Sequence, residues 1–280
     1  MRPALQTSAD YGTLAVKSKA MDGLDITFLG TGTSHGIPVI GCSCAVCRSP
    51  DPRDRRLRTA IHVKSPELSF CVDTPPDFRQ QCLREGIIEL DAVVYTHSHS
   101  DHVLGFDDLR RFCEIEDKTI PVYGSPATLK DLARVFQYAF EDGPKLRNYV
   151  RPEARPLEGD FSLGETKIVP VALPHGRTTT TGLIFWRGGN KRFAYMTDCQ
   201  AVPPDAIEAA KGVDVLVIDA LRHAAHSTHL TVEMAVEISE KIQPGKTFFI
   251  HMCHDLGHEA TESLLPDSIR LSYDGLRITV

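Results

Sequence analysis

One stretch of the sequence constrains the fold more than any other: the segment from Asp91 to Gly105, which reads DAVVYTHSHSDHVLG. Its apolar part, Ala92 to Tyr95, predicts a buried strand, and three histidines and an aspartate follow directly. A loop that leaves a rigid strand can turn these side chains toward one point. Imidazole nitrogen and carboxylate oxygen are ligands of zinc, manganese and iron. The segment therefore predicts a metal or catalytic site rather than a solvated polar loop.

Other metal-type side chains stand at the ends of later predicted strands, namely His175, Asp198 and His251. Strands from both halves of the chain that deliver ligands to one edge indicate two packed sheets covered by helices, an α/β (α+β) fold. No linker separates the halves, so we expect a flexible N-terminal tail over residues 1–22 and one domain over residues 23–280. Met21, just before the first convincing strand, is a candidate for the natural start.

Composition narrows the functional classes. The chain has 280 residues and a net charge of −6, which argues against a general nucleic-acid-binding surface. No apolar run approaches the ~20 residues that cross a bilayer, and the N-terminus lacks the apolar segment of a secretory signal. We therefore expect no membrane association and no stable nucleic-acid partner.

Cysteine usage points to a second metal. Cys42, Cys44 and Cys47 fall within six residues, a spacing that suits a tetrahedral ion better than paired disulfides. A redox or buried-thiol cluster is the alternative. Thiolates kept available for metal imply a reducing compartment, so we expect a cytoplasmic location.

Two further patterns bear on the architecture. The glycine-rich turn Gly30 to Thr33 lacks a third correctly spaced glycine, and Pro38 falls where a following helix would run, so it is not interpreted as a dinucleotide site. A helical stripe predicts one long helix over Pro126 to Ala139. The proline-rich and charged segment Gly143 to Gly159 is predicted as a loop.

These motifs together resemble the metal signature of the metallo-β-lactamase superfamily. The resemblance implies a four-layer αββα sandwich with two catalytic metals at one edge. One metal would be held by His97, His99 and His175, and the other by Asp101, His102 and His251. Asp198 would bridge both metals beside a hydroxide, as in the phosphodiesterase and nuclease branches. Asp101 and His229 are the residues expected to take part in catalysis.

A narrower resemblance covers nearly the whole chain from about Leu24. GTGTSHGIPVIGCSCAVC, DTPPDFRQQ, HSHSDHVLGFDDLRRF, TDCQ and HMCH are similar to the phosphoribosyl 1,2-cyclic phosphate phosphodiesterases of phosphonate degradation. That resemblance implies a structural zinc on Cys42, Cys44, Cys47 and His254. It also implies a histidine that meets the substrate phosphate or leaving group, and the His-Leu-Thr context favours His229 over His223 and His226.

The expected activity is hydrolysis of a small, cyclic or nucleotide-like phosphodiester by a metal-bridging hydroxide, with manganese, zinc or iron as the catalytic ions. Asp73 is either an orienting partner of a ligand histidine or a strand-end cap. Arg177 is a candidate pocket residue, whereas His35, His62 and His258 are interpreted as structural or surface residues. The alternatives are a tRNA 3′-processing nuclease and a non-hydrolytic accessory protein of cofactor biosynthesis, and the resemblance is compatible with a homodimer.

Overall fold

The computed structural model describes residues 23–141, 143 and 148–280, and in these residues the strands form two seven-stranded sheets. The tail predicted over residues 1–22 lies outside the described residues, and the single domain stays a prediction. No helix in the described part of the chain is long and apolar enough to cross a bilayer.

The first sheet has the strand order β14-β1-β2-β3-β4-β5-β6. Strands β3 to β6 run parallel to one another, whereas β1, β2 and β14 pair antiparallel. Its members are β1 (Asp25–Gly30), β2 (Ala60–Lys64), β3 (Ser69–Val72), β4 (Ala92–Val94), β5 (Ile120–Gly124), β6 (Pro152–Pro156) and β14 (Arg277–Thr279).

The second sheet has the order β13-β12-β11-β10-β9-β8-β7, with β10 to β13 parallel and β7 to β10 antiparallel. Its members are β7 (Phe161–Leu163), β8 (Thr166–His175), β9 (Thr178–Arg187), β10 (Asn190–Met196), β11 (Val215–Asp219), β12 (Lys246–Ile250) and β13 (Ile269–Leu271). Each sheet thus contains a block of parallel strands whose carboxyl ends share one edge.

Helices cover the outer faces of both sheets. They are α1 (Phe78–Glu85), α2 (Ser100–Val103), α3 (Arg110–Glu116), α4 (Pro126–Val135), α5 (Gln137–Phe140), α6 (Pro204–Ala210), α7 (Val232–Ile242) and α8 (His258–Glu262), with short 3-10 turns at Pro52–Asp54 and Phe106–Leu109.

Three hydrophobic clusters hold these layers together. In β4, Val93 packs toward the helices while Ala92 and Val94 join the cluster between the sheets. In β11, Leu216 and Ile218 pack toward α6 and α7 while the alternate residues face the first sheet. Successive side chains of a strand point to opposite faces of its sheet, so one set packs against the helices and the other against the second sheet. Both sheets are therefore apolar on both faces. The predicted αββα sandwich is confirmed.

Two local predictions are wrong. The segment predicted as a loop contains the edge strand β6, whose exposed residues and two prolines hide its strand character from the sequence pattern. The long helix predicted over Pro126 to Ala139 breaks at Phe136, which leaves helical geometry and packs its ring 4.6 Å from that of Phe106.

Candidate functional site

The candidate site lies where the parallel strands of both sheets end. His97 follows β4, Asp198 follows β10, and His251 follows β12 directly. Asp73 after β3, Asp198 and His251 have positive φ angles of 66°, 54° and 60°, a conformation that is uncommon for residues other than glycine. Such strained backbone at three strand ends marks this edge as a functional region.

The first group of donor atoms comes from His97, His99 and His175, whose ligand atoms lie within 4.8 Å of one another. The loop after β4 supplies the first two, and the last residue of β8 supplies the third. His175 Nε2 and His99 Nδ1 are 3.3 Å apart. Three imidazoles from two sheets therefore surround one point.

The second group comprises Asp101, His102, Asp198 and His251, again within 4.8 Å of one another. Asp198 Oδ2 is 3.2 Å from His251 Nε2, and it is also 3.9 Å from His97 Nε2 in the first group. The carboxylate of Asp198 thus lies between the two groups. All seven catalytic-metal residues named from the sequence come together.

Several of these donor atoms lack the hydrogen-bond partner that a buried polar atom needs. His97 Nε2, His102 Nε2 and both ring nitrogens of His251 are buried and form no hydrogen bond. Buried polar groups without a partner are costly and need an explanation. Carboxylate oxygens of Asp101 and Asp198 lie 3.2 to 3.9 Å from the Nε2 atoms of these three histidines, an arrangement expected where a cation is shared between the groups. The residues present therefore fit divalent metal ions.

Buried contacts fix the orientation of the ligand rings. His102 Nδ1 donates to Asp73 Oδ2 over 2.7 Å, and Asp73 also accepts from the backbone N–H and hydroxyl of Thr96. Since the Thr96 hydroxyl donates to Asp73, it can accept from His97 Nδ1 at 3.0 Å. His175 Nδ1 donates to the carbonyl of Thr228 at 2.8 Å. Each Nε2 is thereby turned toward the centre, as in metal sites whose ligands have such partners.

Electrostatics keep three of these donors, His97, His175 and Asp198, in the forms that bind cations. Burial lowers the pKa of His97 well below its ordinary value and also lowers that of His175, so both rings are neutral near pH 7. Burial alone would raise the pKa of Asp198, but the imidazoles of His102 and His251 hold it well below its usual range.

His229 lies at the border of this centre. Its ring is 4.7 Å from that of His251 and 4.8 Å from that of His175, centroid to centroid. Its Nδ1 donates to Asp219 Oδ2 at 2.8 Å, and Asp219 also accepts from the backbone N–H of Cys199. Burial lowers the pKa of His229, but the Asp219 carboxylate outweighs it and raises the pKa. Sequence reasoning missed Asp219, although its place at the end of an apolar strand was a usable signal.

A cavity of about 400 Å³ opens onto these groups. Besides members of the two donor groups, its lining comprises Ser34, Gly176, Arg177, Thr178, His226, Thr228 and His229. His226 is therefore near the centre, whereas His223 is exposed and pairs with Glu233 at 2.6 Å. The sequence-based candidate Arg177 is on the cavity wall.

A separate donor group forms from Cys42, Cys44, Cys47 and His254. The three sulfurs lie 3.3, 3.6 and 3.5 Å from His254 Nδ1. A tetrahedral zinc with Zn–S of about 2.3 Å and Zn–N of about 2.1 Å separates sulfur and nitrogen by roughly 3.6 Å. The backbone N–H of Cys47 lowers the pKa of Cys44 to about 7, whereas burial raises that of Cys47 to about 11. The four residues fit a closed zinc site, and the eight cysteines form no disulfide.

Arg56 connects this cysteine cluster to the sandwich. It is fully buried, and its guanidinium donates to the carbonyls of Cys253 and Leu256 and to Asp54. Gly32 lies so close that a Cβ there would be 2.8 Å from the Arg56 carbonyl oxygen. The glycine-rich turn therefore permits a close approach of backbones next to both donor groups.

The sequence matches the model of a known protein family and one curated protein. A family model described as a β-lactamase superfamily domain matches residues 69–252. Among curated proteins, an octanoyltransferase of Porphyromonas gingivalis is 34% identical over 257 residues. The match covers 90% of this chain and 51% of that protein, so the chain spans about half the length of this curated relative.

Solved structures show the same fold. The crystal structure of a new diphosphatase from the PhnP family is 41% identical, with a TM-score of 0.83 over 91% of this chain and 97% of that one. Zinc-bound PqqB from Methylobacterium extorquens is 20% identical, with a TM-score of 0.76, and the match covers 91% of this chain and 100% of that one. At 20% identity, the similarity to PqqB indicates a shared fold only.

Proposed function

Because this chain belongs to the β-lactamase superfamily, we propose that it is a metal-dependent phosphodiesterase that hydrolyses a small, cyclic or nucleotide-like phosphodiester. The observation that carries the proposal is the pair of adjacent donor groups that share Asp198 at one cavity. The 41% identity to a diphosphatase of the PhnP family supports phosphate ester chemistry.

Two divalent ions, manganese, zinc or iron, would bind in this centre. His97, His99 and His175 would hold one, while Asp101, His102 and His251 would hold the other, with Asp198 between them. Bound ions would withdraw charge from the phosphate oxygens and lower the pKa of water toward neutrality, which supplies a nucleophile near pH 7.

The chain's own residues position the reaction. Asp73 and the Thr228 carbonyl fix the rings of His102 and His175 so that their donor atoms do not have to reorganise. Asp219 holds His229 by Nδ1, which leaves Nε2 free to donate a hydrogen bond or a proton to the departing oxygen. Asp101 lines the cavity between His102 and His251 and is the second residue proposed to take part in catalysis.

The cysteine cluster has a different proposed role. Cys42, Cys44, Cys47 and His254 would hold one structural zinc, with four protein donors and no open position for a substrate. His254 lies three residues after His251, so this zinc would anchor the loop that supplies a catalytic ligand.

Three alternatives lead to different substrates. A tRNA 3′-processing nuclease needs a basic surface, which the net charge of −6 disfavours. A non-hydrolytic accessory protein would not need two complete donor groups. The name of the Porphyromonas gingivalis relative raises acyl transfer, but it describes a protein about twice as long as the match.

The proposal is tested with metal-reconstituted protein on an aryl phosphodiester, the matching monoester and a thioester, measured side by side. Diester turnover that is lost on chelation and restored by manganese or zinc is the expected result. No turnover of the diester by protein with its metals fully bound would overturn the proposal in favour of a non-hydrolytic accessory protein. Turnover of the thioester alone would indicate acyl chemistry.

A further inference from the structure

Among the histidines of the two donor groups, His99 differs from the others in its exposure. His97, His102, His175 and His251 are each at most 4% exposed, whereas His99 is an exposed residue. Within the described part of the chain, the ring of His99 has one hydrogen-bond contact, between its Nδ1 and Nε2 of His175 at 3.3 Å. No carboxylate, carbonyl or hydroxyl of the described residues holds this ring from behind, so its position has to be fixed in another way.

The backbone of His99 is held on both sides. Before it, the hydroxyl of Ser98 donates to Asp131 Oδ2 at 2.7 Å, which ties the loop after β4 to helix α4. After it, the carbonyl of His99 accepts from the backbone N–H of His102 at 3.0 Å, in the first turn of α2. Because a side chain on a fixed backbone has only a few rotamers, these two bonds restrict where the imidazole can lie.

Helix α4 gives Asp131 a rigid support. Its first turn is capped by Ser125, whose hydroxyl accepts from the backbone N–H of Thr128 at 3.1 Å. Leu129 and Leu132, which precede and follow Asp131, are 8% and 1% exposed and belong to the hydrophobic cluster that joins the helices to the first sheet. The helix is therefore fixed on the sheet at the turn that carries Asp131, and the carboxylate is fixed with it.

The two carboxylate oxygens of Asp131 have separate partners. Oδ1 lies 3.2 Å from Nη2 of Arg134 on the same helix, and the 78% exposure of the Arg134 side chain makes that ion pair weak. Oδ2 accepts from Ser98. Ser98 lies between His97 and His99 in the sequence, and its side chain points toward α4 while those two rings point toward the centre. Asp131 therefore reaches the ligand segment from the side away from the donor atoms.

We infer that Asp131 is a positioning residue of the first donor group, because its hydrogen bond with Ser98 holds the backbone that places His99. The inference rests on the metal-dependent function proposed above, and it adds a residue that lies outside the lining of the cavity. Removing a partner that orients a metal ligand usually weakens metal binding by about 10- to 100-fold. Asp131 acts through the neighbour of the ligand, so we expect an effect at the lower end of that range.

The test measures zinc binding directly, without turnover. Zinc-loaded protein is titrated with a chromophoric chelator, and the zinc withdrawn per chain gives an apparent Kd for each ion. In Asp131→Ala and in Ser98→Ala we expect the Kd of one zinc of the two donor groups to rise about tenfold, while the thiol-bound zinc is retained. The melting temperature of both zinc-loaded variants should stay within about 5 °C of the wild-type value, since both changes are at partly exposed positions.

Further variants separate the hydrogen bond from the charge. Asp131→Asn keeps an oxygen that accepts from Ser98, so its zinc Kd should stay within about twofold of the wild-type value. Arg134→Ala removes the ion-pair partner of Asp131 and should also leave the Kd within about twofold. In the double variant Ser98→Ala/Asp131→Ala the Kd should rise no further than in either single variant, because both changes remove the same bond.

Three results would overturn the inference: an unchanged zinc Kd in Asp131→Ala, an equally weakened Kd in Asp131→Asn, or additive losses in the double variant. The second would mean that the charge of Asp131 acts, and the third that the two residues act separately. A wild type that binds zinc at the thiols alone would overturn both this inference and the proposed function. A wild type that binds all its zinc ions but hydrolyses no diester would overturn the proposed phosphodiesterase alone, since the zinc titration still decides the role of Asp131.

Discussion

The two donor groups of histidines and aspartates, which we call the His/Asp centre, lie next to the cysteine cluster, but the donors of the two sites come from different kinds of structure. His251 and His254 belong to the same loop, so one strand end supplies a donor to each. In the centre, the ligands come from the ends of strands in both sheets. In the cluster, three of the four come from one irregular segment between β1 and β2. The donors of the two sites therefore have different surroundings, although the sites are adjacent in the fold.

The difference lies in what surrounds the donors. Apart from the exposed His99, the rings of the centre are almost fully buried, and they open to a cavity on one side. Asp73 and Thr96 hold two of them from behind, those of His102 and His97. The sulfurs of the cluster are held mainly by backbone N–H groups, as between Cys47 and Cys44, and Cys42 and Cys44 are half-buried. A preorganised, open site is suited to chemistry, and a closed four-donor site is suited to stabilising a loop.

Asp198→Ala should separate the two regions most clearly. The carboxylate that we propose to bridge the metals belongs to the His/Asp centre only, so we expect about a thousandfold loss of phosphodiester turnover and loss of the paired metal site. One thiol-bound zinc per chain should remain. Metal content by mass spectrometry, compared with turnover, checks this. Unchanged metal content would contradict the bridging role.

Cys47→Ser should have the complementary effect. Loss of a buried thiolate ligand should release one zinc and lower the melting temperature by about 10 °C, because metal binding contributes directly to folding. Turnover by the protein that remains folded should fall much less than in Asp198→Ala. The matched control is Ser43→Ala, an exposed change in the same segment. A melting temperature that stays constant while zinc is lost would refute the stabilising role.

His229→Gln tests the border of the centre. Without the group proposed to donate to the departing oxygen, turnover should fall about 100-fold while both metals stay bound. Asp219→Asn should cost about tenfold, since it loosens the ring that Asp219 orients. His223→Gln, at an exposed histidine, is the control. Wild-type turnover in His229→Gln would mean that another histidine carries the role.

Sequence reasoning reached most of the centre because its ligands follow apolar strands. A rigid strand end restricts where the next side chain can go, so the motif HSHSDH and the later His175, Asp198 and His251 indicated one edge. Asp219 escaped notice because one carboxylate at a strand end has several common roles. The cavity beside the donor groups was also out of reach, since it depends on how separate loops pack together.

The fold was predictable for a similar reason. Two-residue periodicity and the apolar run of β11 indicated buried strands, and helical stripes indicated outer layers. Prediction failed at three of the four sheet edges, those formed by β6, β13 and β14. In β6 the side chains are largely exposed, so burial leaves no pattern in the sequence. The three-residue strands β13 and β14 are too short to show any period.

His62 supplies a baseline for comparing the two regions at low pH, because it is buried in β2 and belongs to neither donor group. Its Nε2 donates to Ser69 Oγ at 2.7 Å, and burial, assisted by Lys64 and Arg277, lowers its pKa to about 4. An unfolded histidine has a pKa of about 6.5. Between these values the unfolded state binds more protons, so the stability contributed by the neutral ring is full above pH 6.5 and is lost as the pH falls toward 4.

His62→Gln should therefore remove about 2 kcal/mol of the stability difference between pH 7 and pH 5. Glutamine can still donate to Ser69, so the variant isolates the titration from the hydrogen bond. The measurement is urea unfolding of wild type and variant at both pH values, with His223→Gln as the exposed control. Acid sensitivity that persists unchanged in His62→Gln would come from other groups, either from His258, whose pKa burial also lowers, or from protonation of the two donor groups. Metal analysis at pH 5 would separate these sources, because only protonation of the donor groups should release metal.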